Sequence, residues 1–387
     1  MVANGPEPRD GVETLVLAEQ WRVGGPGDDD ALIGVVGRVL ADDEGRVYVL
    51  DMQQIEVQVY DRDGRCVQRL GRRGDGPGEL NLLIDAVRLG DGTVGLVQPF
   101  PGRIVLVDSA GDPAGEIPAG DPTTGGFAFL VAAASRGGLA VVVGTRMTIQ
   151  GGTGVATSFV DRVVGDRLSG SPLLETTRPV GQTDSAPGDV HLPVGGQFDI
   201  DRDGRVAMLA DRDEYRIDVY GPDDVRQFTV TREAEPLLLT EAEKAAIAGR
   251  LAPTPGARGN RQEFRVPDVA AAVQKLHWSD AGELWVLPAH GTRDQPPGVH
   301  STWDVFTPDG VFARRVRVAC DADPERDEVH FPGGDLVVIV TNAEDAMDSY
   351  FGNLLGAADG AAATENDDDL LQIVCYRPVP PGTPAKP

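Results

Sequence analysis

Short stretches of alternating apolar and polar residues recur along the chain and are separated by turns rich in Asp and Gly. The clearest series covers residues 38–51, 55–60 and 66–70. Alternation with a period of two is typical of half-buried β-strands, and Gly45 and Gly64 allow the positive φ angles that tight hairpins require. With one more such stretch ahead of it, this series predicts a four-stranded antiparallel meander.

The same pattern returns at three later turn glycines, which are Gly92, Gly204 and Gly282. Gly45 and Gly92, at corresponding turns of the first two copies, lie 47 residues apart, a spacing within the range of propeller blades. More degenerate copies fit residues 127–175 and a last unit that contains 336–340 and 371–376. Six copies predict an all-β fold, a six-bladed β-propeller of four-stranded antiparallel blades.

A ring of blades needs a closing strand. Residues 14–23 form an alternating stretch ahead of the first blade, while the last blade lacks an outer strand. We expect this N-terminal strand to close the ring, because an exposed strand edge invites pairing with other chains.

Outside the strands, Thr240 and Glu243 form a capping-box pattern that predicts one short helical insert at about 240–252. We expect a disordered N-terminus at residues 1–13 and a single propeller domain at 14–376. An acidic loop is expected within the last blade at about 352–369, and a Pro-rich tail at 377–387.

Composition narrows the range of partners. The 387 residues include 35 Lys and Arg against 61 Asp and Glu, a formal net charge of −26. Such a field repels phosphate backbones, so nucleic acid is excluded as a partner. No stretch of 18 apolar residues occurs, so no membrane span is predicted. Cys66, Cys320 and Cys375 have neither metal-site spacing nor the number needed for a disulfide framework.

The first residues show no basic segment followed by an apolar one. We expect a periplasmic or extracellular protein whose signal peptide is missing from this sequence, with a cytoplasmic location as the alternative.

The innermost strands of a propeller meet around a central tunnel, where ligands usually bind. Seven residues before the turn glycine, four blades carry a polar residue, and two carry another five residues before it. Alternate residues of a strand share a face, so these side chains are expected at the tunnel rim. The predicted ligand-binding residues are Arg38, Asp85, Gln197, Asp199, Lys275 and His277.

A structural use of the same residues stays open, because ion pairs such as Arg38 with Asp85 would satisfy one another. The intervening positions of these strands are mostly apolar and are expected in the core between blades, with Arg88 as the exception.

The spacing of ligand-type residues suggests two alternative metal sites. Asp199, Asp201 and Asp203 resemble the opening of a calcium loop, but the positions that would close it are Ala207 and Ala210. An Asp-Gly hairpin turn is therefore the favoured interpretation.

The second possibility is zinc. His191, His277 and His330 lie in or near the predicted inner strands of blades four, five and six. Three imidazoles around an open position would suit catalytic zinc. His191 and His277 stand at different distances from their turn glycines, however, so ordinary packed or solvated histidines are the favoured alternative.

Residues 45–80, ending in Gly74-Asp75-Gly76-Pro77-Gly78-Glu79-Leu80, resemble an NHL repeat. Across its length the chain is similar to bacterial six-bladed propellers of the exported type, a group that includes sensors, binding scaffolds and a few enzymes. Peptide-amidating lyases of this type use tunnel histidines for catalysis. The resemblance supports the fold more strongly than any function.

The sequence therefore predicts a monomeric, non-catalytic binding or scaffold propeller that presents its loops or tunnel rim to a protein or a small-molecule ligand. No cofactor is expected. The alternative is a metal-dependent lyase or hydrolase with tunnel histidines, with zinc or calcium as its metal.

Overall fold

The computed structural model describes residues 1–25, 28, 33–120, 126–180, 191–251, 266–354 and 370–379. The strands within these residues form six antiparallel blades around a central tunnel, with the first strand of each blade innermost. The prediction of an all-β, six-bladed propeller is confirmed.

The chain begins with β1 (Val2–Asn4) and β2 (Val12–Gly24). Blade one comprises β3 (Val36–Ala41), β4 (Val47–Asp51), β5 (Glu56–Tyr60) and β6 (Cys66–Leu70). Blade two comprises β7 (Asp85–Arg88), β8 (Val94–Gln98), β9 (Arg103–Val107) and β10 (Pro113–Pro118). Blade three comprises β11 (Phe127–Arg136), β12 (Leu139–Gln150), β13 (Thr153–Val164), β14 (Arg167–Leu168) and β15 (Leu174–Pro179).

Blade four comprises β16 (Phe198–Ile200), β17 (Val206–Leu209), β18 (Arg216–Tyr220) and β19 (Arg226–Arg232), and is followed by helix α1 (Glu241–Leu251). Blade five comprises β20 (Val273–Trp278), β21 (Leu284–Pro288), β22 (Val299–Phe306) and β23 (Phe312–Ala319). Blade six comprises β24 (Glu328–Gly333), β25 (Leu336–Val340) and β26 (Gln372–Pro378), with helix α2 (Ala343–Leu354) ahead of its last strand.

Strand β2 closes the ring, as predicted. Its residues 17–24 pair antiparallel with β26 and supply the fourth strand of blade six. Residues 12–16 pair in parallel with β23, so blades five and six share one eight-stranded sheet. Trp21 also stacks on Tyr60 of blade one, with ring centroids 5.7 Å apart. One strand therefore connects three blades.

The N-terminal segment differs from the prediction of a disordered stretch over residues 1–13. Strand β1 pairs in parallel with β19. The Asn4 side chain accepts the Phe312 N–H at 2.8 Å and donates to the Gly310 carbonyl at 3.1 Å. A polar side chain and backbone hydrogen bonds hold this segment, which is why a search for apolar alternation misses it.

Apolar side chains fill the seams between blades, but not equally. In the part of the chain that the structure describes, five seams each hold a cluster of ten or more buried residues. The seam between blades five and six holds two clusters of only three buried residues each. The inner strands of these two blades, β20 and β24, also lie less closely against each other than any other pair of neighbouring inner strands does. This seam is the most loosely filled.

Helix α1 begins at the predicted capping box. The Glu243 N–H donates to Thr240 Oγ1 at 3.2 Å, and the Thr240 N–H donates to Glu243 Oε2 at 2.7 Å. Because these bonds satisfy end donors of the helix, the motif fixes where α1 starts.

Helix α2 was not predicted. It packs Ala346, Met347 and Tyr350 against the core between blades one and two. Most of the acidic loop expected at 352–369 lies outside the described residues, as does most of the tail expected at 377–387, into which β26 extends. Neither described helix is long and apolar enough to cross a membrane.

Candidate functional site

Two cavities that share Arg136 lie along the tunnel. The tunnel cavity, of about 290 Å³, is lined by residues of all six inner strands, and Met347 of α2 borders it. The mouth cavity, of about 390 Å³, is lined mainly by turns that join the first and second strands of the blades, among them those at Asp43, Gly90 and Gly138. The turns therefore place the mouth cavity at one end of the tunnel.

Arg38 on β3 and Asp85 on β7 form a two-point ion pair between blades one and two. Arg38 Nε and Nη2 donate to the two carboxylate oxygens at 2.7 Å each. Asp85 Oδ2 also accepts the N–H of Ala133 on β11 at 2.7 Å, and Arg38 Nη2 donates to the Ala133 carbonyl at 2.6 Å. The pair joins three inner strands, and its charges are satisfied within the protein.

Asp199 on β16 makes a similar link between blades four and five. Its Oδ2 accepts the N–H of Trp278 on β20 at 2.7 Å, and its Oδ1 accepts the Ile200 N–H at 2.9 Å. Burial raises the pKa of Asp199 above its ordinary value, although the nearby Arg136 charge opposes the shift. Like Asp85, Asp199 ties its own inner strand to the backbone of the next one.

His277 on β20 contacts Arg136 and Phe331. Its Nδ1 lies 3.3 Å from Arg136 Nη2. A guanidinium group can only donate, so Nδ1 accepts and the neutral ring carries its proton on Nε2. Burial, reinforced by the Arg136 charge, lowers the pKa of His277 well below its ordinary value. The ring is therefore neutral at pH 7, and it stacks on Phe331 with centroids 5.2 Å apart.

Lys275 and Glu328 form a second ion pair, between blades five and six, and His330 lies beside it. Lys275 Nζ donates to Glu328 Oε1. Burial, the largest single influence, would raise the pKa of Glu328, but the charge and hydrogen bond of Lys275 together with the nearby His330 and Arg38 outweigh it, and the pKa falls to about 2. His330 Nε2 lies 3.6 Å from Glu328 Oε2. Burial lowers the pKa of His330 to about 4 despite the Glu328 charge.

Gln197 and His191 do not line the tunnel cavity. His191 Nε2 and Gln197 Oε1 lie 2.8 Å apart, and Gln197 Nε2 donates to the Val273 carbonyl at 3.3 Å. These contacts fasten the segment ahead of β16. The structure thus places five of the six predicted rim residues around one cavity, and it places Gln197 outside that cavity.

The Asp280 carboxylate accepts hydrogen bonds from three other blades at the mouth of the tunnel. Its Oδ1 accepts from Arg136 Nη1 at 3.0 Å and from Arg202 Nε at 3.2 Å, while Oδ2 accepts the Gly334 N–H at 2.8 Å. Arg202 also donates to Asp43 at 3.1 Å. Burial would raise the pKa of Asp280, but the Gly334 N–H and the two guanidinium groups together lower it. Asp280 is therefore ionised and links four blades.

Arg88 completes a set of three arginines around the mouth cavity, with Arg136 and Arg202. Its Nη1 donates to the Ala41 carbonyl at 3.0 Å, and the guanidinium lies over the Tyr48 ring, 5.1 Å from its centroid. The Nε atoms of Arg88 and Arg136 are buried and lack a hydrogen-bond partner among the described residues. Unsatisfied buried donors are rare in proteins and ask for an explanation.

The acidic residues considered for calcium form a turn. Asp201 Oδ1 accepts the N–H groups of Asp203 and Arg205 at 2.9 and 2.7 Å, and its Oδ2 accepts from Arg205 Nε at 2.6 Å. Asp199 is used in the link between blades.

The structure places two of the three histidines of the zinc hypothesis around one cavity. His277 and His330 line the tunnel cavity, whereas His191 does not. In the described ranges of the chain, no group of three or more His, Cys, Asp or Glu side chains is placed to hold a metal ion.

Sequence reasoning missed Glu328, Arg136 and Asp280. Glu328 had a signal: Asp335, with a φ of 57°, takes the place of the turn glycine in blade six, and Glu328 precedes it by the same seven residues as Arg38 precedes its glycine. In blade three that position holds Val131, so no polar pattern pointed to Arg136.

The family model DUF5128, described as a 6-bladed beta-propeller, matches residues 27–85. This segment contains the whole of blade one. No curated protein sequence matches the chain.

Several solved structures have a similar chain course at low sequence identity. A member of the DUF4221 family from Bacteroides vulgatus is 10% identical with a TM-score of 0.48, covering 93% of this chain and 97% of that chain. A protein of Bacteroides fragilis described as exported is 10% identical with a TM-score of 0.49, covering 98% and 99%. Virginiamycin B lyase from Staphylococcus aureus is 10% identical with a TM-score of 0.41, covering 92% and 98%.

Identities this low carry no functional information. The strand pairing and the family match agree on the architecture, and the chain is a six-bladed β-propeller closed by its N-terminal strand.

Proposed function

We propose that the protein is a non-catalytic binding propeller that holds a small ligand carrying a carboxylate or phosphate group at the mouth cavity. The observation that carries this proposal is the set of three arginines, Arg88, Arg136 and Arg202, around a cavity of about 390 Å³.

Charge supports an anionic ligand. The chain as a whole carries −26 and repels anions over most of its surface. At the mouth, Arg136 and Arg202 share the carboxylate of Asp280, and Arg202 also pairs with Asp43. No described carboxylate forms an ion pair with Arg88. A planar guanidinium offers paired donors that match carboxylate and phosphate oxygens. An anion in this cavity would balance the positive charge of Arg88, which Asp280 and Asp43 leave unpaired.

The tunnel residues support binding over catalysis. Arg38 is paired with Asp85, and Lys275 with Glu328. The Nδ1 lone pair of His277 accepts from Arg136. A general base or a metal ligand needs a lone pair that is free to act. Arg38 and Lys275 are the cations of ion pairs and offer none, and the Nδ1 lone pair of His277 is already engaged.

A monomer located in the periplasm or outside the cell is part of the proposal and rests on the sequence resemblance. Light scattering on the purified protein tests the first point. Fractionation of cells that express the complete gene with a C-terminal tag tests the second.

The binding proposal is tested by following amide chemical shifts during titration with citrate and with inorganic phosphate at low ionic strength. We expect saturable shifts at the mouth turns and an affinity reduced at least about tenfold in Arg88→Gln, because a charge-assisted contact is lost. Arg65→Gln is the matched control, since Arg65 is an exposed arginine of blade one paired with Asp63 at 3.3 Å. Absence of saturable shifts, or equal losses in both variants, would overturn the proposal.

A further inference from the structure

The loosely filled seam between blades five and six contains a third cavity of about 290 Å³, the seam cleft. Its apolar and aromatic lining includes Leu15 of β2, Trp285 of β21, and Phe331 of β24. His277 and Phe331 line both this cleft and the tunnel cavity. They form the wall between the two spaces.

Arg136 lines all three cavities: the mouth, the tunnel cavity and the seam cleft. Its side chain is 9% exposed, and two of its three nitrogens contact Asp280 and His277. A ligand held at the mouth by Arg136 therefore lies next to the entrance of an aromatic cleft.

The cleft has the chemistry of a site for a ring. Phe331 is surrounded by three rings, with centroids 5.4 Å away at Trp285, 5.1 Å at Trp303 and 5.2 Å at His277. Faces and edges of aromatic rings pair favourably at such distances. A dry cavity of about 150 Å³ suffices for benzene, so the seam cleft has room for a substituted ring.

Besides Arg136 Nε, a second polar atom of the cleft lining has no hydrogen-bond partner among the described residues. Trp285 Nε1 is buried and has no hydrogen-bond partner among the described residues. By contrast, Trp303 Nε1, on the other side of Phe331, donates to Ser301 Oγ at 3.0 Å. An acceptor on a bound ligand would satisfy the Trp285 indole N–H.

We infer that the ligand is an aromatic acid: its anionic group is held by Arg136 at the mouth, and its ring enters the seam cleft against Trp285 and Phe331. This inference rests on the proposed function and adds the ligand class to it.

Three probes separate the two parts of this ligand. Acetate carries the anion without a ring, benzyl alcohol carries the ring without a charge, and benzoate carries both. We expect benzoate to bind at least about tenfold more tightly than either of the other two, because only benzoate uses both contacts. The indole N–H resonance of Trp285, identified by its loss in Trp285→Phe, should shift with benzoate and not with acetate.

A variant that fills the cleft tests the location. Leu15→Trp places a large side chain on the cleft lining, whereas Val16→Trp, the matched control, adds it at an adjacent, 47% exposed position that does not line the cleft. Thermal melts confirm that both variants are folded. Leu15→Trp should reduce benzoate affinity to that of acetate and leave citrate binding intact, while Val16→Trp should change neither.

Equal affinities for benzoate and acetate, with citrate binding retained, would overturn this inference and leave the proposed function standing. Benzyl alcohol binding as tightly as benzoate would overturn the link to Arg136. Loss of citrate binding in Arg88→Gln, measured in parallel, tests the proposed function separately.

Discussion

Arg38 donates through Nε and Nη2 to both carboxylate oxygens of Asp85, at 2.7 Å each, and so joins the first strands of blades one and two. The Asp85 side chain is only 6% exposed and the Arg38 side chain 28%. Their hydrogen bonds help to hold the ring together, which is the structural use that the sequence leaves open beside the prediction of a ligand-binding tunnel rim.

Replacing one member of this pair leaves the other charge buried without a partner. Arg38→Met should lower the free energy of unfolding by about 3 to 5 kcal/mol, whereas Arg38→Met with Asp85→Leu should cost less, because no orphaned charge remains. Urea denaturation of the two variants and the wild type measures the difference. A loss below about 1 kcal/mol in the single variant would show that solvent in the tunnel compensates the Asp85 carboxylate.

Replacement of Trp21 tests whether strand β2 holds the ring of blades closed. Its side chain is 8% exposed and stacks on Tyr60 of blade one. Trp21→Ala should destabilise the protein by about 3 kcal/mol, as expected for truncation of a buried aromatic residue, and thermal unfolding should begin at a lower temperature. Val16→Ala on the same strand, where the side chain is 47% exposed, should change the melting temperature little. Equal effects would contradict a closing role for Trp21.

The lowered pKa of His330 predicts how the stability of the folded protein depends on pH. Its pKa is about 4 in the folded protein against 6.5 when unperturbed, because burial disfavours the charged ring. Between these values the unfolded chain binds a proton that the folded protein does not, so stability should decrease as the pH falls from about 6.5 to about 4. His330→Gln should make this decrease shallower in urea titrations across that range. His290→Gln, at an exposed histidine, should leave it unchanged, and an unchanged slope in His330→Gln would contradict the assignment.

The zinc hypothesis is also open to direct measurement. Arg136 occupies the Nδ1 lone pair of His277, and the positive charges of Lys275 and Arg38 lie near His330, which disfavours a divalent cation. Elemental analysis of protein purified without chelators should find well below one zinc per chain, by the usual need for three free ligands. Near-stoichiometric zinc that disappears in His277→Ala with His330→Ala would restore the enzymatic alternative.

The repeat made most of the fold predictable. Turn glycines such as Gly45 and Gly204 require positive φ, so their spacing identified the blades and aligned the inner strands. The same alignment predicts Arg38, Asp85 and Lys275 on the tunnel wall, where the structure has them.

The site was less predictable because it depends on contacts between blades. Asp280 belongs to blade five and Arg136 to blade three, and no local sequence pattern predicts the hydrogen bond between their side chains. The seam cleft lies where blades five and six share only small clusters of buried apolar residues, and sparse packing between two blades has no signature in a single strand. Residues with a structural use, such as Asp199, share the alternation of residues that would bind a ligand.

The most direct test of anion binding at the mouth is a crystal structure of the protein soaked in selenate, an anion whose selenium can be located by anomalous scattering. The account predicts a peak in the mouth cavity within hydrogen-bonding distance of Arg88 and Arg136, and its loss in crystals of Arg88→Gln. An empty mouth cavity in the soaked wild-type crystal, or a peak that persists in Arg88→Gln, would contradict it.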